Sequence, residues 1–203
     1  MLVLCSNGLS SDTLVLSMRD KLCGCKTAAL VVTADNEYKE NNYHVQRCVT
    51  ELESLNLNAD LFDLDKQAAS DLLSYDVVEF IGGNPYYLLQ AIRNSHAESV
   101  LRDIAENKVL IGWSAAVFVF SPTLELVNRY TPKMNFVGLT DLTALRLTDI
   151  EVLPHYNKFL KRFDQFEEQC LAYEEEHHVK VVRLNDGDGV IVDSKNNVCR
   201  VDG

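Results

Sequence analysis

The stretch Val109–Ala116, with the sequence VLIGWSAA, decides the fold, because an apolar strand runs here directly into a turn of small residues. A nucleophile elbow of the G-x-S-x-G type holds its serine on a tight strand-to-helix turn, and it needs small residues two positions before and after that serine. Gly112 and Ala116 stand at those offsets around Ser114, with alanine in place of the usual second glycine. A serine so placed lies at the carboxyl end of a parallel strand, where α/β sheets bind ligands. The alternative interpretation is a serine that only caps a helix.

Outward from this stretch, short apolar runs alternate with helical patterns along the chain. Strands are predicted at 2–5, 28–32, 59–64, 77–81 and 109–111, and helices at 38–55, 86–93, 98–106 and 158–176. Closing strands are predicted at 179–183, 189–193 and 198–201. Near-continuous apolar strands between helices are typical of a parallel sheet that is covered on both faces. The sequence therefore predicts one α/β domain over residues 1–203, a three-layer sandwich with a mostly parallel central sheet.

The composition of the chain argues against several classes of function. The 203 residues include 19 Lys and Arg against 30 Asp and Glu, which gives a net charge of −11. Binding to nucleic acid or to an anionic membrane surface needs clustered basic residues, so neither partner is expected. No apolar run approaches the ~18 residues of a membrane helix, and the N-terminal run lacks the basic start of a signal peptide. A cytoplasmic protein is therefore expected.

The cysteines predict neither a metal site nor a cofactor. Six of them are scattered over the chain, and the one close pair, Cys23 and Cys25, lacks the C-x-x-C spacing of zinc and thioredoxin sites. Reduced thiols are the simpler expectation. Chemistry by a serine and a histidine would also need no metal, because the histidine activates the nucleophile.

A second cluster of small residues, Gly82-Gly83-Asn84-Pro85, also follows a predicted strand and opens a predicted helix. Glycines let the backbone approach a ligand closely and expose its N–H groups. Such donors form an oxyanion hole when they lie beside a nucleophile. A phosphate-binding loop is the weaker interpretation, because the cluster lacks both the G-x-G-x-x-G and the Gly-Lys-Ser/Thr pattern.

A nucleophilic serine needs a general base, because its hydroxyl is unreactive at neutral pH. The chain offers five histidines: His44, His96, His155, His177 and His178. His155 follows a short apolar strand at 150–153 and precedes a helix, so it lies at another strand end. We therefore expect His155 to be the base.

Three motifs occur here in the order in which they occur in the peptidase E family. They are Gly82-Gly83-Asn84 before an aromatic-Leu-Leu helix start, Gly112-Trp113-Ser114-Ala115, and Pro154-His155-Tyr156. The chain resembles this family over nearly its full length. The family comprises serine peptidases that include aspartyl dipeptidase, with cyanophycinase as a relative. The resemblance implies a class I glutamine amidotransferase-like α/β fold, in agreement with the strand pattern.

The resemblance also implies roles for individual residues. Ser114 corresponds to the nucleophile and His155 to the general base. The backbone N–H groups of Gly83 and Ala115 correspond to the oxyanion donors, with Gly82 beside them. Attack by Ser114 would give an acyl-enzyme, His155 would return the proton to the leaving amine, and water would then release the acid.

Two residues are candidates for the acid that orients His155. In the aspartyl dipeptidases an acid follows an asparagine shortly after the nucleophile, but the corresponding place here, Asn128-Arg129, carries no acid. Asp186 resembles the acid of a late Leu-Pro-Glu-Gly segment of the family, and Asp141 lies between the serine and the histidine. We expect Asp186 to be the acid that orients His155, because its surrounding segment resembles the family motif. An aspartate before glycine is, however, also an ordinary turn residue.

The resemblance implies a small peptide as the substrate. Aspartyl dipeptidases cleave after an N-terminal aspartate, whose carboxylate calls for a cationic pocket. Basic residues in the corresponding part of the chain are Arg129, Lys133, Arg146 and Arg162. We take Arg129 and Asn84 as the substrate-binding candidates. The protein is expected to be a monomer or a homodimer. The alternative is a catalytically weak family member that binds a small molecule or a peptide, which Ala116 and the missing early acid favour.

Overall fold

Nine strands form two sheets in the computed structural model, which describes residues 1–203. The strands are β1 (Leu2–Cys5), β2 (Thr27–Val31), β3 (Asn58–Phe62), β4 (Val77–Phe80), β5 (Val109–Trp113), β6 (Glu151–Leu153), β7 (Val181–Arg183), β8 (Gly189–Val192) and β9 (Val198–Val201). The large sheet has the order β3-β2-β4-β5-β1-β8-β9, and β6 pairs with β7 in a small parallel sheet. The first five strands of the large sheet are parallel, while β8 and β9 join antiparallel. The predicted mostly parallel central sheet is confirmed.

Eight α-helices connect and cover these strands. They are α1 (Asp12–Arg19), α2 (Val45–Ser54), α3 (Pro85–Asn94), α4 (Glu98–Asn107), α5 (Ala115–Phe120), α6 (Glu125–Tyr130), α7 (Tyr156–Arg162) and α8 (Phe166–His177). Short 3₁₀ turns lie at 39–41, 69–74 and 132–134. None of the helices combines the length and apolarity needed to cross a bilayer.

Both faces of the large sheet are buried under helices. Successive strand residues point to opposite faces, so Leu2 and Leu4 enter one core while Val3 and Cys5 enter the other. The first core, of 39 buried residues, packs the sheet against α3 to α6 and α8, and the second, of 20, packs it against α1 and α2. A sheet that is apolar on both faces explains why its strands are continuous apolar runs in the sequence.

The predicted helix over 158–176 is wrong in one respect, because the structure divides it into α7 and α8. The chain is extended at Phe163 and left-handed at Gln165, where φ is 52°. This break lets Phe159, Phe163 and Phe166 pack around the Tyr130 ring, with centroid distances of 5.3, 5.2 and 5.0 Å. A periodic apolar stripe cannot distinguish this arrangement from one continuous helix.

The parallel register brings several loops to one edge of the sheet. Cys5 of β1 lies beside Trp113 of β5, and Phe80 of β4 lies beside Gly112. The three segments that follow these strands therefore emerge next to one another at the carboxyl edge, where α/β folds bind ligands.

Candidate active site

Ser114 occupies the turn between β5 and α5 with a strained backbone. Its φ of 54° and ψ of −109° are unusual for a residue with a side chain. A Cβ added to Gly112 would lie 2.5 Å from the Phe120 ring and 3.0 Å from the Cβ of Ala116. The turn therefore requires a very small residue at position 112 and tolerates alanine at position 116. This is the geometry of a nucleophile elbow.

The glycine cluster lies directly against this turn. A Cβ on Gly82 would lie 2.6 Å from the Trp113 ring, and one on Gly83 would lie 2.2 Å from the carbonyl oxygen of Ala34. Neither the Gly83 N–H nor the Ala115 N–H donates a hydrogen bond within the protein. Two backbone donors are thus available beside Ser114 for a negatively charged oxygen.

His155 and Asp186 form a close pair. The imidazole Nδ1 lies 2.6 Å from Asp186 Oδ1, and both side chains are 16% exposed. A carboxylate only accepts hydrogen bonds, so Nδ1 carries the proton and Nε2 is left as the basic nitrogen. Lys158 Nζ lies 2.5 Å from the other carboxylate oxygen, and the buried Ser6 hydroxyl donates to Oδ1 at 2.9 Å.

The surroundings of this pair favour a neutral histidine and an ionised aspartate. Burial lowers the pKa of His155, against the opposing effect of Asp186, and the charge of Lys158 lowers it further. Burial alone would raise the pKa of Asp186, but the hydrogen bonds from Lys158 and His155 lower it below its ordinary value. A neutral imidazole oriented by a carboxylate can accept a proton at neutral pH.

Ser114 and His155 line one cavity of about 440 Å³. The remaining lining residues are Asn7, Asn42, Tyr43, His44, Gly82, Gly83, Trp113, Lys158, Phe159 and Arg162. The lining contains one lysine and one arginine but no carboxylate, in a chain whose net charge is −11. The Ser114 hydroxyl makes no hydrogen bond to His155 in this structure; such contacts often tighten only when substrate binds.

Three residues predicted from the sequence lie away from this cavity. Asp141 has a 65% exposed side chain and pairs with Arg93. Arg129 lies on α6, where it pairs with Glu176 and stacks on Tyr173. The Asn84 side chain does not line the cavity either, because it caps α3 through the N–H groups of residues 86 and 87 and donates to the carbonyl of residue 134. Neither Arg129 nor the Asn84 side chain therefore lines the cavity that contains Ser114 and His155.

The structure also brings residues to the site that the sequence motifs did not single out. Ser6 follows β1 and touches both His155 and Asp186. His44 and Lys158 line the cavity. The one available signal was position, since Ser6 is the first polar residue after an apolar strand and Lys158 lies about one helical turn beyond His155.

A buried polar cluster lies behind Trp113. Cys48, Glu51 and Glu79 each bring one potential ligand atom within 4.8 Å of the others. The Trp113 indole donates to Glu79 at 3.1 Å, and Arg47 donates to Glu51 at 2.9 Å. Burial raises the pKa of Glu79 to about 8 and raises that of the Cys48 thiol strongly. Glu79 thus supports the Trp113 ring by accepting the hydrogen bond of its indole N–H.

Comparison with known proteins places the chain among peptidases. A family model described as peptidase family S51 matches residues 2–198. An uncharacterized peptidase of Listeria monocytogenes is 31% identical over 137 residues, which cover 65% of this chain and 66% of the relative. An uncharacterized peptidase of Pasteurella multocida is 33% identical over 89 residues, or 43% of either chain. The aligned segments span just under two thirds of the first relative and less than half of the second.

Two solved structures share the fold. A Listeria monocytogenes EGD-e protein named for peptidase E matches with a TM-score of 0.76 at 24% identity, over 98% of this chain and 96% of that chain. A peptidase from an acI-B1 actinobacterium matches with a TM-score of 0.73 at 18% identity, over 100% of this chain and 87% of that chain. These likenesses confirm the expected α/β architecture.

Proposed function

The chain belongs to peptidase family S51, and we propose that it is a serine peptidase that hydrolyses small peptides with Ser114 as its nucleophile. The observation that carries the proposal is the Ser114 backbone, held at φ 54° and ψ −109° on the turn after β5. Strain of this kind concentrates at functional sites. Ser114 also lines the cavity that His155 lines.

His155 is the proposed general base and Asp186 the proposed orienting acid. The 2.6 Å contact between Nδ1 and Oδ1 supports this assignment, because it leaves Nε2 free to take the proton of the serine. Asp141, the other candidate acid, pairs with Arg93 instead. We therefore assign the third catalytic position to Asp186.

The proposed reaction is acyl transfer to water. Ser114 Oγ attacks the scissile carbonyl while His155 takes its proton, and the N–H groups of Gly83 and Ala115 stabilise the oxyanion. His155 then protonates the leaving amine, which leaves an ester on Ser114. Water attacks this ester with His155 again as the base, and the free acid departs.

An N-terminal aspartate is the proposed substrate preference. The cationic side chains of Lys158 and Arg162 line the cavity, and they support binding of an anionic side chain. Lys158 is engaged by Asp186, whereas Arg162 is exposed and its guanidinium lies over the Phe163 ring. An arginine also suits a carboxylate well, because its planar fork can bind both oxygens. Arg162 therefore replaces Arg129 as the candidate for this contact.

A binding protein on a hydrolase fold is the second candidate function. The observation that favours it is the absence of a hydrogen bond between the Ser114 hydroxyl and His155. A protein of this kind would bind peptides in the same cavity without turnover.

Hydrolysis of a dipeptide and p-nitroanilide panel, with Asp-Xaa peptides included, tests the proposal. We expect turnover by the wild type, loss of turnover in Ser114→Ala, and labelling of Ser114 by a fluorophosphonate. Peptide binding without turnover or labelling would instead support the second candidate.

Two matched arginine variants test the substrate preference. We expect Arg162→Met to raise KM for Asp-Xaa substrates about tenfold, as loss of one charge-assisted contact implies, with less effect on Ala-Xaa. Arg129→Met should leave both KM values unchanged, because this arginine pairs with Glu176 outside the cavity. Equal effects of the two variants would contradict the assignment.

A further inference from the structure

Ser6 lies where three parts of the candidate site meet. It follows β1 directly and is fully buried. The preceding residue, Cys5, accepts a hydrogen bond from the Ser114 N–H at 3.3 Å, and the Ser6 N–H donates to the carbonyl of Asp188 at 3.0 Å. The end of β1 therefore joins the turn that carries Ser114 to the loop that carries Asp186.

The Ser6 hydroxyl uses both of its hydrogen-bonding functions within the site. It donates its only proton to Asp186 Oδ1 at 2.9 Å, and it accepts from the His155 backbone N–H at 2.8 Å. The same Oδ1 lies 2.6 Å from His155 Nδ1. One hydroxyl thus contacts the backbone of the base and the carboxylate that orients its ring.

The backbone of His155 needs such an anchor. Its φ of 56° and ψ of 27° are left-handed, a conformation that costs energy in a residue with a side chain. The contact with Ser6 gives its N–H a buried acceptor, and it couples the backbone orientation to the position of Asp186.

We propose that Ser6 is a positioning residue of the peptidase reaction, whose hydroxyl sets the mutual orientation of His155 and Asp186. The inference rests on the proposed function, since it assigns a role within that same site. Ser6 does not touch the substrate and transfers no proton. Its two contacts hold the His155 backbone and Asp186 Oδ1 in one geometry, and a turn of the ring would break the contact of Nδ1 with that same oxygen.

Kinetics of Ser6→Ala, with active sites counted by fluorophosphonate titration, test this role. We expect kcat per titrated site to fall about 10- to 100-fold, with KM changed less than about threefold, as expected for lost orientation. Ser6→Cys fills similar space with a weaker donor, so its kcat should lie between those of Ser6→Ala and the wild type. Ser121→Ala is the matched control, because Ser121 is equally buried and its hydroxyl has no partner; its kcat should equal that of the wild type.

A purely structural role would give a different result. Ser6→Ala would then unfold at a lower temperature while each titrated site kept the kcat of the wild type, and the proposal would be overturned. If Ser6→Ala does not fold, Ser6→Cys alone decides, and a kcat equal to that of the wild type contradicts the proposal.

Titration of His155 by NMR separates this inference from the proposed function, because it requires no turnover. The charged or titratable groups that face the ring are Asp186, Lys158 on α7 and His44 across the cavity. The contact with Asp186 raises the pKa of His155, so loss of the mutual orientation in Ser6→Ala should lower this pKa. If the orientation were kept and Asp186 only lost one donor, the carboxylate would stabilise the imidazolium more strongly and the pKa would rise. An unchanged or higher pKa would overturn the positioning role, whereas an inactive wild type with the lowered pKa in Ser6→Ala would overturn only the peptidase function.

Discussion

Two groups of residues that line or support the cavity, here called its two walls, are held in place by different interactions. The elbow, which we define as Gly112–Ala116, depends on backbone geometry, with close packing against Phe120 and Gly82 and no charged group of its own. The base side, defined as Ser6, His155, Lys158 and Asp186, depends on side-chain hydrogen bonds and ion pairs between distant parts of the chain.

The difference predicts how each wall responds to change. A backbone turn inside a parallel sheet has little room to adjust, so added atoms in the elbow or its glycine neighbours should distort the site. A polar cluster should instead respond to lost hydrogen bonds and charges, which alter ionisation and orientation without displacing the sheet.

The largest expected effect comes from the elbow. Ser114→Ala should lower kcat by up to about 10⁶-fold, because the nucleophile is lost. Ser114→Gly should be equally inactive but unfold at a temperature at least as high as Ser114→Ala. Glycine relieves backbone strain of about 1–3 kcal/mol, which exceeds its entropic cost of roughly 1 kcal/mol. Thermal unfolding of both variants checks this, and a less stable Ser114→Gly would contradict the strain attributed to the elbow.

The next largest effect comes from the base side. Asp186→Asn should lower kcat by about 10⁴-fold, because the amide no longer holds the required tautomer of His155. Asp141→Asn is the matched control, and its kcat should stay within about twofold of the wild type, as expected for a surface substitution. Steady-state kinetics of the two variants decide between the acids. A larger loss in Asp141→Asn would reverse the assignment.

The glycine cluster should show an intermediate effect. Gly83→Ala forces a Cβ to within 2.2 Å of the Ala34 carbonyl oxygen, so the backbone must move. We expect kcat to fall about 10²- to 10³-fold, the usual result of losing one oxyanion donor. At Gly138 an added Cβ meets nothing within 4 Å, although φ is 69°. Gly138→Ala should therefore lose stability but keep kcat, and equal kcat losses in both variants would contradict an oxyanion role for Gly83.

The smallest expected effect is a shift of the pH profile. The activity should rise with pH as His155 loses its proton, with a midpoint below the ordinary histidine value because the pKa of His155 is lowered. Lys158→Met removes a charge that lowers this pKa, so the midpoint should move to higher pH while the plateau at alkaline pH changes little. Lys158→Arg keeps the charge and should keep the midpoint. The shift should be modest, because Lys158 is 62% exposed and solvent screens its charge.

The two walls also differ in how far the sequence could predict them. The apolar strands, the mostly parallel sheet and the elbow follow from local patterns, because a buried strand and a tight turn need particular residues at consecutive positions. His155 and Asp186 were identified through short motifs, and spacing alone left Asp141 as an alternative. The contacts of Ser6 and the position of Arg129 outside the cavity could not be predicted, because no local pattern indicates which distant side chain a polar residue will contact.

The sequence by itself thus determined the α/β fold and the turn that carries Ser114, because apolar periodicity and small-residue spacing are local properties of the chain. Its family was indicated by the resemblance of three ordered motifs. The tertiary structure alone decided which acid reaches His155, which cations line the cavity and what the Ser6 hydroxyl contacts. Those contacts join residues as far apart as Ser6 and Asp186. Hydrogen bonds require their atoms to lie within about 3 Å, a condition that only the packed sheet and its loops can meet.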